Sequence, residues 1–473
     1  MFEYAVVGSG IGGSTMAALL NAKGKSVALF EKEPYLGGCS STFMHKNRLY
    51  NSGATTFAGY EEGFVVKEIF DEIGFTPDIL PTDPSIVVIQ NTKITPRYSD
   101  FDKFYEVVSK NYKHEKNLEF WRLVYEINSE FYNYKTHYYS NSNIISKTIS
   151  LLSFIPLFLK FYKYLKVNAK SFIEDFFDGI DEEYMQFLES QILIVAQAKT
   201  YKINFFTAAL ALGYTFNKNY YAVGGFSKLF DGLTQNLEHI YKNTEILSIK
   251  RLPTHFELVA KNKSYSAKKI ILNSTIYDSA SLFSDKEIRA YYKKYEKLNN
   301  HQSSFMLYMT IKSKKKFEHH YQIIKDDMFV HTISKAVFVS FWEINHDELS
   351  HEWEYSITIS IHTDERFWED KTKYKKRKNE LLNQLLETIL ETLDITMLEV
   401  KEHFGATPRT FRRYINRSQL GGNAITMKNF LPFLPSNDTP IEGLFHVGDS
   451  VYAAQGWPGV MFGVKNLKRL LDV

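Results

Sequence analysis

Gly8, Gly10 and Gly13 fall in G-x-G-x-x-G spacing, directly after the apolar run Tyr4-Ala5-Val6-Val7. Ser14 to Lys23 follows with helix-forming residues and an apolar face, and Gly24 closes it. Lys25 to Phe30 is a second apolar run, ending in Glu31, eighteen positions after Gly13. Strand, glycine turn, helix, strand and acid in that order form a cradle for a dinucleotide. Gly8 permits the tight turn, Gly10 lets backbone approach a pyrophosphate, and Gly13 lets helix and strand pack closely. The helix N-terminus offers unpaired N–H groups and the positive end of its dipole to the phosphates. The Glu31 carboxylate accepts hydrogen bonds from ribose hydroxyls and repels a 2′-phosphate.

Two further small-residue stretches suit backbone packed against a cofactor: Gly37-Gly38-Cys39-Ser40-Ser41, and Tyr50 to Phe57 with Gly53-Ala54-Thr55-Thr56. Cys39 is the single cysteine, so no internal disulfide and no multi-cysteine metal site exists. It reads either as a redox thiol or as a small core residue, and no second thiol is present to resolve it. Near the other end, Gly443 to Ser450 reads as a strand closing in Gly448-Asp449, then a loop, then a helix over Val460 to Leu471. Asp449 sits where a strand ends and reads either as binding a ribityl hydroxyl or as oriented by backbone amides. The helix N-terminus near Gly459 would face an electron-rich ring edge, with Trp457-Pro458 holding the chain in place. His446 lies inside the strand and reads as a satisfied core histidine.

The elements between these stretches define the frame. At 473 residues, two or three domains are expected. The net charge of +3 gives no reason to expect nucleic acid. Met1 almost touches the first strand, so no leader is expected and the compartment reads as cytoplasmic. Helices are expected over Glu62 to Gly74, through 101–215, over Ser227 to Leu237 and over Lys371 to Leu393. Strands with a turn at Asn91 are expected over Ile86 to Ile94. Thr244–Ile249, Phe256–Ala260 and Lys269–Leu272 return to alternating α/β structure, which makes the first domain discontinuous. Ser304–Ile311, Ala336–Glu343 and Tyr355–Ile361 alternate with period two and predict a mainly antiparallel second sheet. The most apolar stretch, 149–165, holds Pro156, Lys160 and Lys163 and is too short to span a bilayer. It reads either as a helix in a membrane interface with its lysines at the headgroups, or as a buried core helix or tunnel wall.

These residues resemble the phytoene desaturase, carotenoid isomerase and retinol saturase group of FAD-dependent enzymes, within the amine-oxidase-like flavoprotein superfamily. The similarity rests on GSGIGG with Glu31, YNSGATTFAG at 50–59, YAVGGFSKL at 221–229, TPRTFRRYINR at 407–417 and GLFHVGDSVYAAQGWPGV at 443–460. The pattern departs at Ala453-Ala454, where proline or glycine is common, and residues 95–215 match only in helical character. The resemblance implies an α/β fold: a discontinuous Rossmann-type, glutathione-reductase-like FAD domain with an inserted α+β substrate domain and a helical cap. The expected boundaries are 1–62, 216–280 and 404–473 for FAD binding, 63–100 and 281–403 for substrate, and 101–215 for the cap or membrane-surface region.

Carried over, the resemblance assigns Gly8, Gly10, Ile11, Gly12 and Gly13 to the pyrophosphate side, and Glu31 and Lys32 to the adenosine side. Gly38, Cys39, Ser40 and Ser41 follow on the phosphate and ribityl side, and Ala54, Thr55 and Thr56 near the isoalloxazine. Ile246 contributes backbone at the adenine. Gly448, Asp449, Trp457, Gly459 and Val460 lie at the ribityl and pyrimidine end. Thr56, Tyr452 and Trp457 are the candidates for the flavin face, no catalytic base is assigned, and no metal is expected. The implied activity is desaturation, saturation or isomerisation of an apolar isoprenoid or carotenoid-like lipid, with a quinone as a candidate electron acceptor. A flavin amine oxidase on a soluble amine, and a flavin-containing binding protein without turnover, are the alternatives.

Overall fold

The computed structural model describes residues 1–134, 138–417, 419–430, 433–453 and 456–473. Its first sheet runs His239–Tyr241, Val27–Phe30, Phe2–Val7, Ser264–Leu272, Phe256–Ala260, Ile246–Arg251. The first four strands are parallel, and the last two fold back antiparallel. Leu444–His446 joins in parallel beside the far half of Ser264–Leu272, with Ile270 opposite Leu444. Segments separated by more than four hundred positions thus share one sheet. Both its faces are covered, as a parallel sheet requires. Tyr4, Val6 and Leu29 pack beneath helices Ile11–Ala22 and Gly456–Leu471. Ala5, Ala28 and Phe30 face the other way, onto Ile276, Phe283 and Tyr292. This is the α/β nucleotide-binding fold expected from the sequence.

The second sheet runs Val400–Ala406, Gln302–Ser313, Glu352–Asp364, Ala336–Asp347, His320–Ile324, Ile86–Gln90, Lys93–Arg97. It is antiparallel except where His320–Ile324 meets Ile86–Gln90. One face carries Phe305, Leu307, Met309, Ile357, Ile359 and Val339, and it packs against helix Tyr374–Thr392. The alternate positions are polar, yet they are buried too: Thr310, Thr358, Ser340, Gln322 and His320 are almost fully enclosed. Gln322 meets Gln191 and Ser190 of the helical layer, and the others lie against segment 50–55. Tyr50 Oη and Thr310 Oγ1 are 2.7 Å apart, and Thr358 Oγ1 donates to the Asn51 carbonyl at 2.9 Å. Tyr308 Oη donates to the Ser52 carbonyl at 2.5 Å, and Thr55 and Ser340 share a hydroxyl bond. Polar alternation in this sheet therefore marks a hydrogen-bonded joint, not a solvated face.

A layer of helices covers the opening between the sheets. Helices Asn117–Asn133, Ile144–Lys166, Ala169–Phe177, Glu182–Ala196 and Phe205–Gly213 bury an aromatic core that includes Phe120, Trp121, Phe177, Phe187 and Phe205. Their starts are coded locally. Asn143, Asn168, Asp181 and Asn204 each accept a backbone N–H in the first turn, a cap contributing about 1 kcal/mol. The apolar helix extends beyond 149–165, to Ile144–Lys166, with Pro156 inside and a break in helical geometry at Phe161. Phe154, Leu157, Phe161 and Tyr164 face inward, whereas Ile145, Leu152, Ile155, Leu159 and Tyr162 are exposed. It is long and apolar enough to cross a membrane by composition, and 22% of that window is buried. Lys160, expected at a headgroup, is paired with Glu126 and Glu130 at 3.4 and 3.0 Å.

Candidate functional site

A cavity of about 660 Å3 opens along the C-terminal edge of the parallel sheet and continues between the second sheet and the helices. Open α/β sheets bind ligands at that edge. The turn after the first strand is built tightly. A Cβ on Gly13 would sit 2.0 Å from the Gly8 carbonyl oxygen, and one on Gly12 2.9 Å from the Gly448 nitrogen. The helix that follows has Gly10 as its N-cap, with no side-chain cap. Its first N–H groups are left for a ligand. The Glu31 carboxylate is held in a fixed orientation: one oxygen accepts from Ser9 N–H at 3.0 Å and Ser9 Oγ at 2.6 Å, and the other from Glu33 N–H at 3.0 Å.

Gly8, Gly10, Ile11, Gly12, Glu31, Lys32, Gly38, Cys39 and Ser40 all line the cavity. So do Ala54, Thr55, Thr56, Ile246, Gly448, Asp449, Trp457, Gly459 and Val460. Gly13 and Ser41 do not. Gly13 is enclosed where helix meets strand, and Ser41 Oγ bonds Ser52 Oγ at 3.1 Å. Tyr452, expected at the flavin face, instead packs in the helical core, its ring 4.9 Å from Tyr139 and 6.4 Å from Phe154. Its neighbour Ala453 lines the cavity in its place; Ala454 lies outside the described residues. The closing helix begins at Gly456, a turn earlier than Val460. Trp457 therefore sits in its first turn, its indole stacked on Phe230 at 5.7 Å and edge-on to Phe57 at 4.7 Å. Cys39 is half-buried in the cavity wall, and desolvation there pushes its thiol up, which suits an inert position better than a redox role. His446 is buried with Nε2 2.6 Å from Tyr292 Oη.

Several site residues escaped the sequence reading. Asn273 follows the strand Ser264–Leu272 and is wedged between the two glycine turns. A Cβ on Gly10 would lie 2.6 Å from its Nδ2, and one on Gly448 2.8 Å from its Oδ1. An asparagine at the end of a parallel strand was the available signal. Arg417 holds both oxygens of Asp449 at 3.1 and 3.2 Å. Burial opposes its charge, and the Asp449 carboxylate more than offsets this, keeping the guanidinium above its usual range. On the far side of the cavity, Gln191, Gln197, Ser304, Ser360 and His362 join Leu210, Ala211, Tyr214, Met306, Phe338 and Ile425. These polar groups were not expected in an apolar tunnel.

A model of the NAD(P)-binding Rossmann-like domain family matches residues 6–73. Chloroplastic prolycopene isomerase of Daucus carota is 24% identical over 499 residues, spanning 98% of this chain and 78% of that protein. All-trans-retinol 13,14-reductase of Homo sapiens is 35% identical over 71 residues, 15% of this chain and 12% of that one. Among solved structures, cyclohexylamine oxidase from Brevibacterium oxydans superposes with a TM-score of 0.62 at 12% identity, covering 100% of both chains. The chain is similar to prolycopene isomerases along its whole length. That bears out the resemblance read from the sequence.

Proposed function

We propose that this chain binds FAD and acts on carbon–carbon double bonds of an isoprenoid polyene, by isomerisation, desaturation or saturation. Similarity to a prolycopene isomerase over 98% of the chain carries the reading. The residues present fit FAD. The turn at Gly10 and Gly12 has no room for side chains, the adjoining helix start is uncapped, and the Glu31 carboxylate is held in place by Ser9 and Glu33. Gly8, Gly10 and Gly12 would hold the pyrophosphate, Glu31 and Lys32 the adenosine side, and Asp449 the ribityl chain. Ala54, Thr55 and Thr56 would border the ring. When bound, FAD supplies hydride transfer and transient storage of charge.

The chain's own residues do the rest. Phe131, Tyr132, Leu210, Ala211, Tyr214 and Ile425 wall the chamber and exclude water. Arg417 fixes the Asp449 carboxylate. Among the described lining residues, every carboxylate (Glu31, Glu245, Asp278, Asp449) belongs to the nucleotide side. A substrate ammonium would find no counter-ion on the far side, which favours a polyene over an amine. The test is anaerobic incubation of the FAD-loaded protein with a poly-cis carotene and, separately, with alkyl amines. A flavin-dependent change in the carotene's absorbance and chromatographic isomer pattern is expected, with no bleaching by amines. Bleaching by amines alone would overturn the reading.

We also propose that the exposed face of Ile144–Lys166 rests on a lipid surface, where a quinone is available as acceptor for net oxidation. The support is an apolar helix anchored by one face, with Ile144 84% and Leu159 75% exposed on the other. Leu152→Glu with Leu159→Glu is expected to abolish flotation with anionic phospholipid vesicles while leaving the melting temperature unchanged. Unaltered flotation would sink the idea.

A further inference from the structure

The polar face of the second sheet changes character along its length. Where it meets segment 50–55, Thr310, Tyr308, Thr358 and Ser340 all have protein partners. Two to four positions further along the same strands come Ser304, Ser360 and His362, with Ser304 opposite His362 and Ser360 opposite Met306. These line the cavity, and among the described residues the hydroxyls of Ser304 and Ser360 have no hydrogen-bond partner. A small void of about 10 Å3 adjoins them, sharing Ser360 and His362 with the main cavity and adding Gln322 and Ser190. Ser304 and Ser360 are half-buried on the cavity wall, so their hydroxyls are open to whatever fills it, and an occupant that displaces water there without replacing its hydrogen bonds leaves them unmet at a cost in free energy.

The neighbouring side chains are fixed. Gln197 Oε1 accepts from Gln302 Nε2 at 2.7 Å and lies 2.9 Å from His362 Nε2. An amide oxygen only accepts, so His362 must carry its proton on Nε2. Burial pushes His362 down to about 4, so the ring is neutral and Nδ1 is a bare acceptor. Gln191 is 4% exposed and lines the cavity. Its Oε1 accepts from Arg97 Nη1 at 3.0 Å, and its amide nitrogen donates one hydrogen to Gln322 Oε1. The second amide hydrogen has no protein acceptor among the described residues. Behind it Arg97 is 1% exposed, stacked on Phe104 at 4.5 Å and Trp121 at 5.2 Å, with Nε unpaired and, among the described residues, no carboxylate against it. An uncompensated guanidinium under a polarised amide makes this end of the chamber electropositive.

We propose that Gln191, Ser304, Ser360 and His362 form a subsite for an oxygen-bearing terminus, hydroxyl or carboxyl, of the lipid substrate. A hydrocarbon end would leave two hydroxyls, an amide N–H and an imidazole nitrogen unmet. An alcohol or acid meets them, as donor to His362 Nδ1 and as acceptor from Ser360 and Gln191. The inference rests on the polyene reading above and narrows it from isoprenoid lipids at large to those with an oxygenated end.

The test measures binding, not turnover. FAD-loaded protein is dialysed to equilibrium against geranylgeraniol, geranylgeranoic acid or the 1-deoxy hydrocarbon of the same chain, and bound lipid is quantified by mass spectrometry. The alcohol, the acid or both are expected to bind at least tenfold more tightly than the hydrocarbon. Ser360→Ala with His362→Leu is expected to remove that preference while hydrocarbon binding stays within about twofold, a split that a merely structural role would not produce. The single variant Ser304→Ala, which disturbs no bond inside the protein, serves if the double variant fails to fold, and should lose part of the preference. Equal binding of all three lipids by the wild-type protein overturns the subsite and leaves the polyene reading intact. Binding of none overturns both.

Discussion

At the scale of single residues, the site depends on atoms that leave no room for change. Gly13→Ala would force a methyl group against the Gly8 carbonyl, 2.0 Å away. It is expected to cost about 2–3 kcal/mol of unfolding free energy in urea titration and, on the FAD reading, to lower the flavin absorbance of the FAD-loaded protein. Arg417→Gln strands the Asp449 carboxylate in a partly buried place, at about 1–3 kcal/mol. Asp449→Asn added to it should recover part of that loss in a double-mutant cycle. Buried histidines set the acid limit. Burial pushes His446 down to about 3 and His320 down to about 4, from 6.5. Their folded pKa values lie below the unfolded ones, so the unfolded chain takes up protons first as pH falls. Stability is therefore fully present above about pH 6.5 and declines towards pH 3, by up to about 1.4 kcal/mol per pH unit for each such group. His446→Gln should flatten the dependence of the urea midpoint on pH in that window; an unchanged slope would contradict the assignment.

At the scale of elements, what could be read ahead was whatever repeats or is punctuated. Gly8-x-Gly10 with its flanking runs announced a strand, a turn and a helix, and the period-two runs at Ser304–Ile311 and Tyr355–Ile361 announced the second sheet. The short pieces carried no such period. His239–Tyr241 has three residues, and the hairpin Thr42–His45 with Arg48–Asn51 turns on Lys46 and Asn47 at φ 45° and 64°, without a glycine. Partners distant in sequence were equally hidden: nothing in the pattern of 304–362 says that its polar positions meet a tyrosine hairpin. Loss of a joint bond should be felt modestly. Tyr308→Phe, which forfeits the bond to the Ser52 carbonyl, is expected to cost about 1 kcal/mol and to leave secondary structure unchanged by circular dichroism. Tyr452 was misplaced for a related reason. It adjoins a cavity-lining residue in sequence, but its side chain goes to the side where Tyr139 and Phe154 offer an aromatic surface.

At the scale of the whole molecule, the nucleotide turn lay in a contiguous stretch and was visible, whereas the chamber is assembled from three elements that meet only in space. Gln191 comes from a helix, His362 from the second sheet and Ile425 from a loop, and no spacing links them. The same dispersion has a bearing on biogenesis. Leu444–His446 is the strand that completes the parallel sheet, and Gly456–Leu471 is the helix that covers it. While a ribosome is still translating position 400, both are missing from the nascent polypeptide, although the glycine turn left the exit tunnel long before. On the FAD reading, cofactor loading is a late event, and translation arrested before residue 444 should yield chains that chaperones retain and that acquire no yellow colour.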